Sequence, residues 1–137
     1  SGANGPPLRK REGESDMLYI KPYTSEDRFP QFEAGRSAGD LYYIALSGKE
    51  LIGWLRYRKL EDALLIEEVE SGGDANLFDG LMRAAFDAAV NIGLDRAYFA
   101  PEVDRAVLAQ LLVPLEEGNC VNSLTTFLRN CRKCKML

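Results

Sequence analysis

Histidine is absent from all 137 residues, and that one gap removes Ser-His-Asp triads, Cys-His dyads, His-ligated zinc and histidine acid/base catalysis. Any proton transfer therefore falls to carboxylates, tyrosine, lysine, cysteine or water. Long hydrophobic runs are missing as well: none approaches the roughly 20 residues that span a bilayer, and no signal-peptide pattern opens the chain. A cytoplasmic protein with no membrane partner is expected. There is no basic excess, because 17 Lys plus Arg stand against 21 Asp plus Glu for a net charge of −4. A general polyanion-binding surface, and with it a nucleic-acid partner, is not expected. The charge is uneven, however. From Arg129 onward there are four cations and no acid, so the residues before Arg129 sum to −8, and the basic tail could meet an acidic partner.

What is present suits one globular domain: 46% of the residues are hydrophobic, enough for a core of ordinary size but not for two. Residues 1–16 are rich in Gly, Pro, Ser and charge and read as a disordered arm or a tag remnant. Residues 17–137 then form a single domain with a cysteine-containing basic tail.

Alternation and β-rich composition mark strands at several places. Residues 18–23 form the first, with Pro22 favouring an edge or strand end. Residues 41–47 and 50–58 follow, joined through Gly48-Lys49 as an antiparallel hairpin. A further strand covers 63–70, and regular alternation there puts Leu64, Ile66, Glu68 and Glu70 on one face and Leu65, Glu67 and Val69 on the other. The polar residues 24–40, with Phe29 and Phe32 as anchors, suit either a short helix or a loop.

From Leu77 the period becomes helical. Leu77, Leu81, Ala84, Ala85, Ala88 and Ile92, stopped by Gly93, predict an amphipathic helix of about four turns. Residues 96–100 make a short strand closed by Pro101, so strand, helix and strand form a βαβ unit with a parallel pair. A second helix is expected over 102–113, ended by Pro114. The remainder has room for a short strand and a capped short helix at 122–130.

This order of elements, an antiparallel meander, a strand, a glycine-containing turn, a long helix, a short strand and another helix, resembles the core of the GNAT superfamily of N-acetyltransferases over roughly residues 18–115. The resemblance implies an α+β fold: a mixed, mainly antiparallel sheet with a central βαβ unit and flanking helices. It also implies acetyl-CoA as co-substrate and an amine, on a small molecule or a protein, as acceptor. The family's fourth strand and the turn after it hold the cofactor, which here implies Val69, Ser71, Gly72, Gly73, Ala75 and Asn76. Backbone N–H groups at Val69 and Ser71 would polarise the thioester carbonyl. A helix N-terminus with free N–H groups favours an anion such as a pyrophosphate. The family's Arg/Gln-x-x-Gly-x-Gly/Ala turn falls on Asp74, Leu77 and Asp79, with Gly80 one step beyond. Its later Asn-x-x-Ala-x-x-x-Tyr segment falls on Val103, Ala106 and Gln110. Glutamine cannot protonate a leaving thiolate as a phenol can.

Two readings of each site stay open at the sequence level. Glu68, with Glu70 beside it on one face, is the candidate general base, since adjacent carboxylates are one way a protein tunes an acid for that duty. The plainer reading makes Glu67, Glu68 and Glu70 solvated strand-end charges. Tyr57 and Tyr98 are candidate acids, or strand packing. The turn 72–76 either cradles a phosphate or only connects strand to helix, with Asp74 or Asn76 as cap and Asp79 in the first turn suiting the helix dipole. Cys120 and the Cys131-Arg-Lys-Cys134 motif are reduced structural thiols, a redox pair, or part of a metal site that needs a fourth ligand, as a homodimer could supply. Three cysteines by themselves fall one short of a structural zinc site. A GNAT-like module without turnover, binding a protein partner or an acyl-CoA ligand, is the alternative to an enzyme.

Overall fold

The computed structural model describes residues 18–24, 26, 27, 29–33 and 39–129. The N-terminal arm and the Cys131/Cys134 pair lie outside them. Six strands form one sheet in chain order: β1 (Leu18–Pro22), β2 (Leu41–Ser47), β3 (Glu50–Lys59), β4 (Leu64–Glu70), β5 (Ala97–Phe99) and β6 (Cys120–Val121). Only β4 and β5 run parallel; the other neighbours are antiparallel. Among the described residues four helices accompany them: α1 (Pro30–Glu33), α2 (Ala75–Asn91), α3 (Arg105–Gln110) and α4 (Leu124–Arg129). The α+β expectation, the hairpin and the parallel βαβ pair all hold. None of the helices formed by the described residues is long and apolar enough to cross a membrane.

Two apolar clusters lie on opposite faces of the sheet. The larger joins Leu55, Tyr57, Leu64 and Ile66 of β3 and β4 to Leu77, Leu81, Met82 and Phe86 of α2 and to Phe127 of α4. The smaller places Phe32 of α1 against Tyr42 and Ile44 of β2, with Trp54 edge-on at 5.5 Å. Phe32 and Trp54 are therefore packing groups, and residues 24–40 do hold a short helix. The first cluster forms because α2 presents apolar residues at helical spacing to the inner side of the sheet. Gly53 lets the start of α2 come close. A Cβ there would sit 2.7 Å from the Glu70 carbonyl oxygen and 3.0 Å from Leu77, so only glycine allows this approach without displacement.

The helix expected over 102–113 is shorter, Arg105–Gln110, for two local reasons. Asp104 caps it, accepting the N–H groups of Ala106 at 2.9 Å and Val107 at 3.3 Å. Leu112 then takes a left-handed conformation at φ 61°, which turns the chain out of the helix. Asp79 is likewise not in the first turn of α2. It is the fifth helical residue and pairs with Arg83 at 3.0 Å.

Asp95 ties the start of α4 to the β5 side of the molecule. Its Oδ1 accepts Thr125 Oγ1–H at 2.6 Å and Thr125 N–H at 2.7 Å, and Oδ2 accepts Ser123 Oγ–H at 3.2 Å. The Thr125 side-chain bond is the main reason that the Asp95 carboxyl is held below its ordinary value of 3.8. A depressed pKa stabilises the folded state above the unfolded value and loses that contribution as pH falls through the folded one. Asp95→Asn should therefore lower stability at pH 7 and lose its effect as pH drops below 3.8. Urea denaturation of both proteins across pH 7 to 2 measures this; a constant difference at every pH would count against the bond.

Candidate functional site

Strand β4 outruns its parallel neighbour. Its pairing with β5 stops at Ile66↔Phe99, and Ala100 N–H closes the ladder onto the Ile66 carbonyl at 2.9 Å. The next residue, Pro101, has no N–H to continue. On the other side β4 pairs with β3 all the way to Trp54↔Glu70. Residues 67–70 thus present a backbone edge that no described strand covers on the β5 side, next to the first turn of α2.

A β-bulge lies at the point of departure. Tyr57 pairs with Ile66 and Arg56 with Glu68, so Glu67 is an extra residue on β4. This corrects the alternation expected from sequence. Ile66 and Val69 both pack with the inner cluster, while Glu67 and Glu68 point together to the outer face, where Arg56 and Arg58 lie. Glu68 and Glu70 do share a face, as expected, but it is the outer one and not that of Leu64 and Ile66. Bulges carry no obligatory residue type, which is why a strict period of two misses this one.

The outer face holds a chain of alternating charges. Asp40 is 6% exposed and accepts from Arg58 Nε at 3.1 Å. Arg58 Nε also lies 3.5 Å from Glu67 Oε2, and Arg56 Nε lies 3.5 Å from Glu67 Oε1. Glu68 ends the series, 3.8 Å from Arg56 Nη1, with its side chain 46% exposed. Sequence reading singled out Glu68 and passed over Arg56, Arg58 and Asp40. The usable signal was the alternation of Arg56 and Arg58 with the buried Leu55 and Tyr57.

Glu70 is used differently. Its Oε2 accepts the N–H of Gly72 at 2.9 Å, which leaves Glu68 as the carboxylate free of the turn. Gly72 and Gly73 take φ values of 62° and 84°, which favour glycine. Asp74 N–H donates to the Ser71 carbonyl at 3.0 Å. The Asp74 carboxylate then accepts Asn76 N–H at 2.9 Å and Leu77 N–H at 3.2 Å. Asp74, not Asn76, is the cap. Ala75 opens the helix. An anion at this helix N-terminus would compete with Asp74 for the same N–H groups.

The remaining candidates do not gather here. Tyr57 lies on the inner face, stacked on Tyr43 at 5.7 Å, and burial, then the Tyr43 phenol, raises its pKa. Tyr98 sits on β5 in register with Leu65 and Cys120. Val103 is buried ahead of α3, and Gln110 closes α3 exposed to solvent. Cys120 is buried and its thiol donates to Asn122 Oδ1 at 3.3 Å. Among the described residues no group of His, Cys, Asp and Glu could hold a metal ion.

No family model matches the sequence, and no curated protein matches it. Solved structures do match in fold. The IAA acetyltransferase from Bacillus cereus shares 17% identity over 70% of this chain and 72% of its own, with a TM-score of 0.52. The ribosomal-protein-S18-alanine N-acetyltransferase from Escherichia coli shares 13%, covering 68% and 73%, at 0.53. An aminoglycoside acetyltransferase from an uncultured soil metagenomic sample, in complex with sisomicin, shares 14%, covering 69% and 82%, also at 0.53. The fold is GNAT-like. At these identities the likeness defines the fold alone, and the chemistry has to be argued from this chain's own residues.

Proposed function

We propose that the protein binds acetyl-CoA along the uncovered edge of β4 and transfers the acetyl group to an amine. The observation that carries this reading is that β4 continues past Ile66 without β5, beside the N-terminus of α2. An extended pantetheine arm can pair with such a strand edge. In the transfer, a neutral amine attacks the thioester carbonyl, a C–N bond forms, the C–S bond breaks and CoA thiolate leaves. Glu68, directly or through water, takes the amine proton. Backbone N–H groups at Val69 and Ser71 polarise the carbonyl. The acceptor is an amine of a small molecule or a protein, a range that the S18-alanine and aminoglycoside enzymes of the same fold both illustrate.

A second reading, a module that binds without turnover, is favoured by one specific observation. Glu70 and Asp74 already occupy the N–H groups of the turn. Calorimetric titration with acetyl-CoA, followed by thiol-release assays over a panel of amines, separates the two. Binding with thiol release supports the enzyme, and binding without it supports the module. No heat and no thermal shift at millimolar ligand would remove the enzyme and leave only a module that binds a protein partner.

The Glu70→Gln/Asp74→Asn variant sharpens the test, because asparagine caps a helix about as well as aspartate. Removing carboxylate charges from beside a diphosphate is expected to tighten acetyl-CoA binding about tenfold per charge, since one unit pair at 4 Å is worth about 1 kcal/mol in water and more at lower dielectric. Unchanged affinity in calorimetry would show that the diphosphate does not approach this turn.

A further inference from the structure

The bulge at Glu67 and the departure of β4 from β5 fall on consecutive residues: pairing to β5 ends at Ile66, and the extra residue is the next one. A bulge bends its strand and increases local twist, so this one sets the course of residues 68–70. What holds it is visible on the outer face. A regular strand would point Glu67 and Glu68 to opposite sides; here both approach Arg56, at 3.5 Å and 3.8 Å, and Glu67 also approaches Arg58 at 3.5 Å. Arg58 is fixed in turn by the buried Asp40. Arg56 Nε and Glu67 Oε1 are closed off from solvent with no hydrogen-bond partner among the described residues. They face each other as charges, and removing one leaves the other unpaired away from water.

From this we propose that Glu67, clamped between Arg56 and Arg58, is a positioning residue for the acyl donor. Its ion pairs hold the bulge, and the bulge keeps residues 68–70 apart from β5. Glu67 acts through the backbone and need not touch the ligand. This role rests on the acyl-donor reading of the β4 edge. The clamp itself does not.

The test uses the full chain with Glu67→Gln and Glu67→Asp. Cross-strand NOEs between β3 and β4, recorded without ligand, read the register. Calorimetry with acetyl-CoA reads the slot. Glu67→Gln is expected to lose the contacts that place Arg56 opposite both Glu67 and Glu68, and to bind acetyl-CoA at least about tenfold more weakly, a difference of about 1.4 kcal/mol. Glu67→Asp keeps the charge and the bulge. In turnover the loss appears as a raised KM for acetyl-CoA with a lowered kcat, because residues 68–70 carry Glu68 and the Val69 N–H, and both recover in Glu67→Asp. A general loss of stability would lower the active fraction and leave KM unchanged. A folded Glu67→Gln protein with the bulged register intact overturns the clamp. A lost register with undiminished acetyl-CoA binding overturns the positioning role. If the wild type binds no acetyl-CoA while Glu67→Gln still loses its register, the acyl-donor reading and the positioning role fall, and the clamp stands.

Discussion

Glu68→Gln is expected to lower kcat for amine acetylation by about 10²–10⁴-fold, the usual worth of a positioned general base, with little change in acetyl-CoA affinity. Glutamine keeps the shape of the side chain and removes only its ability to take a proton. Arg56 is not left unneutralised, because Glu67 stays 3.5 Å from its Nε. Steady-state kinetics at saturating acetyl-CoA is the measurement. Glu70→Gln is the control. Its carboxylate accepts the Gly72 N–H, so its loss should act on cofactor affinity and spare kcat. If Glu68→Gln keeps more than about a tenth of wild-type kcat, less than the smallest effect normally seen for such a base, proton removal belongs to water or to another group.

Phe86→Ala should cost about 3–5 kcal/mol of folding stability, the range for emptying a buried aromatic site. Phe86 is fully buried on α2 and meets Phe99 of β5 at 6.1 Å and Phe127 of α4 at 5.6 Å, both edge-on. Three elements lean on this one ring, so its loss removes contacts that none of them can recover by moving alone. Arg83 adds a cation over the outer ring, 4.6 Å from the Phe127 centroid. Urea denaturation should show the deficit as a lower midpoint with an unchanged slope, and the melting temperature should fall by roughly 10–20 °C. A cost below about 1 kcal/mol would mean that α2 collapses into the space, against the usual partial relaxation of such cavities.

The frame was readable where one local signal decided the structure. Gly48-Lys49 between two β-rich runs fixed the hairpin, and the spacing of Leu77, Leu81 and Ala85 fixed α2 and its buried face. The site was readable only in part. Glu68, Glu70 and the turn could be singled out as candidates because they sit at a strand-to-helix junction, which sequence marks well. Their roles depended on contacts it does not mark. Whether Asp74 faces a ligand or caps the helix is settled by which N–H groups its side chain reaches. The face on which Glu67 lies is settled by arginines on the neighbouring strand. The shortened α3 has the same origin. Val103 fits the apolar period and is buried, yet it precedes the Asp104 cap, so periodicity extended the helix beyond its start.

The order of strands across the sheet is also their order along the chain, and this bears on how the molecule is made. Each strand finds its partner in the one synthesised just before it, and the meander from β2 to β4 closes through short turns at small entropic cost. The longest connection between neighbours runs from Glu70 to Ala97 and must wait for α2 to emerge and dock. Assembly can therefore proceed from the N-terminal strands onward, local pairings first. In that sequence the gap beside residues 67–70 is the last part of the sheet's centre to take shape, since its second wall is β5.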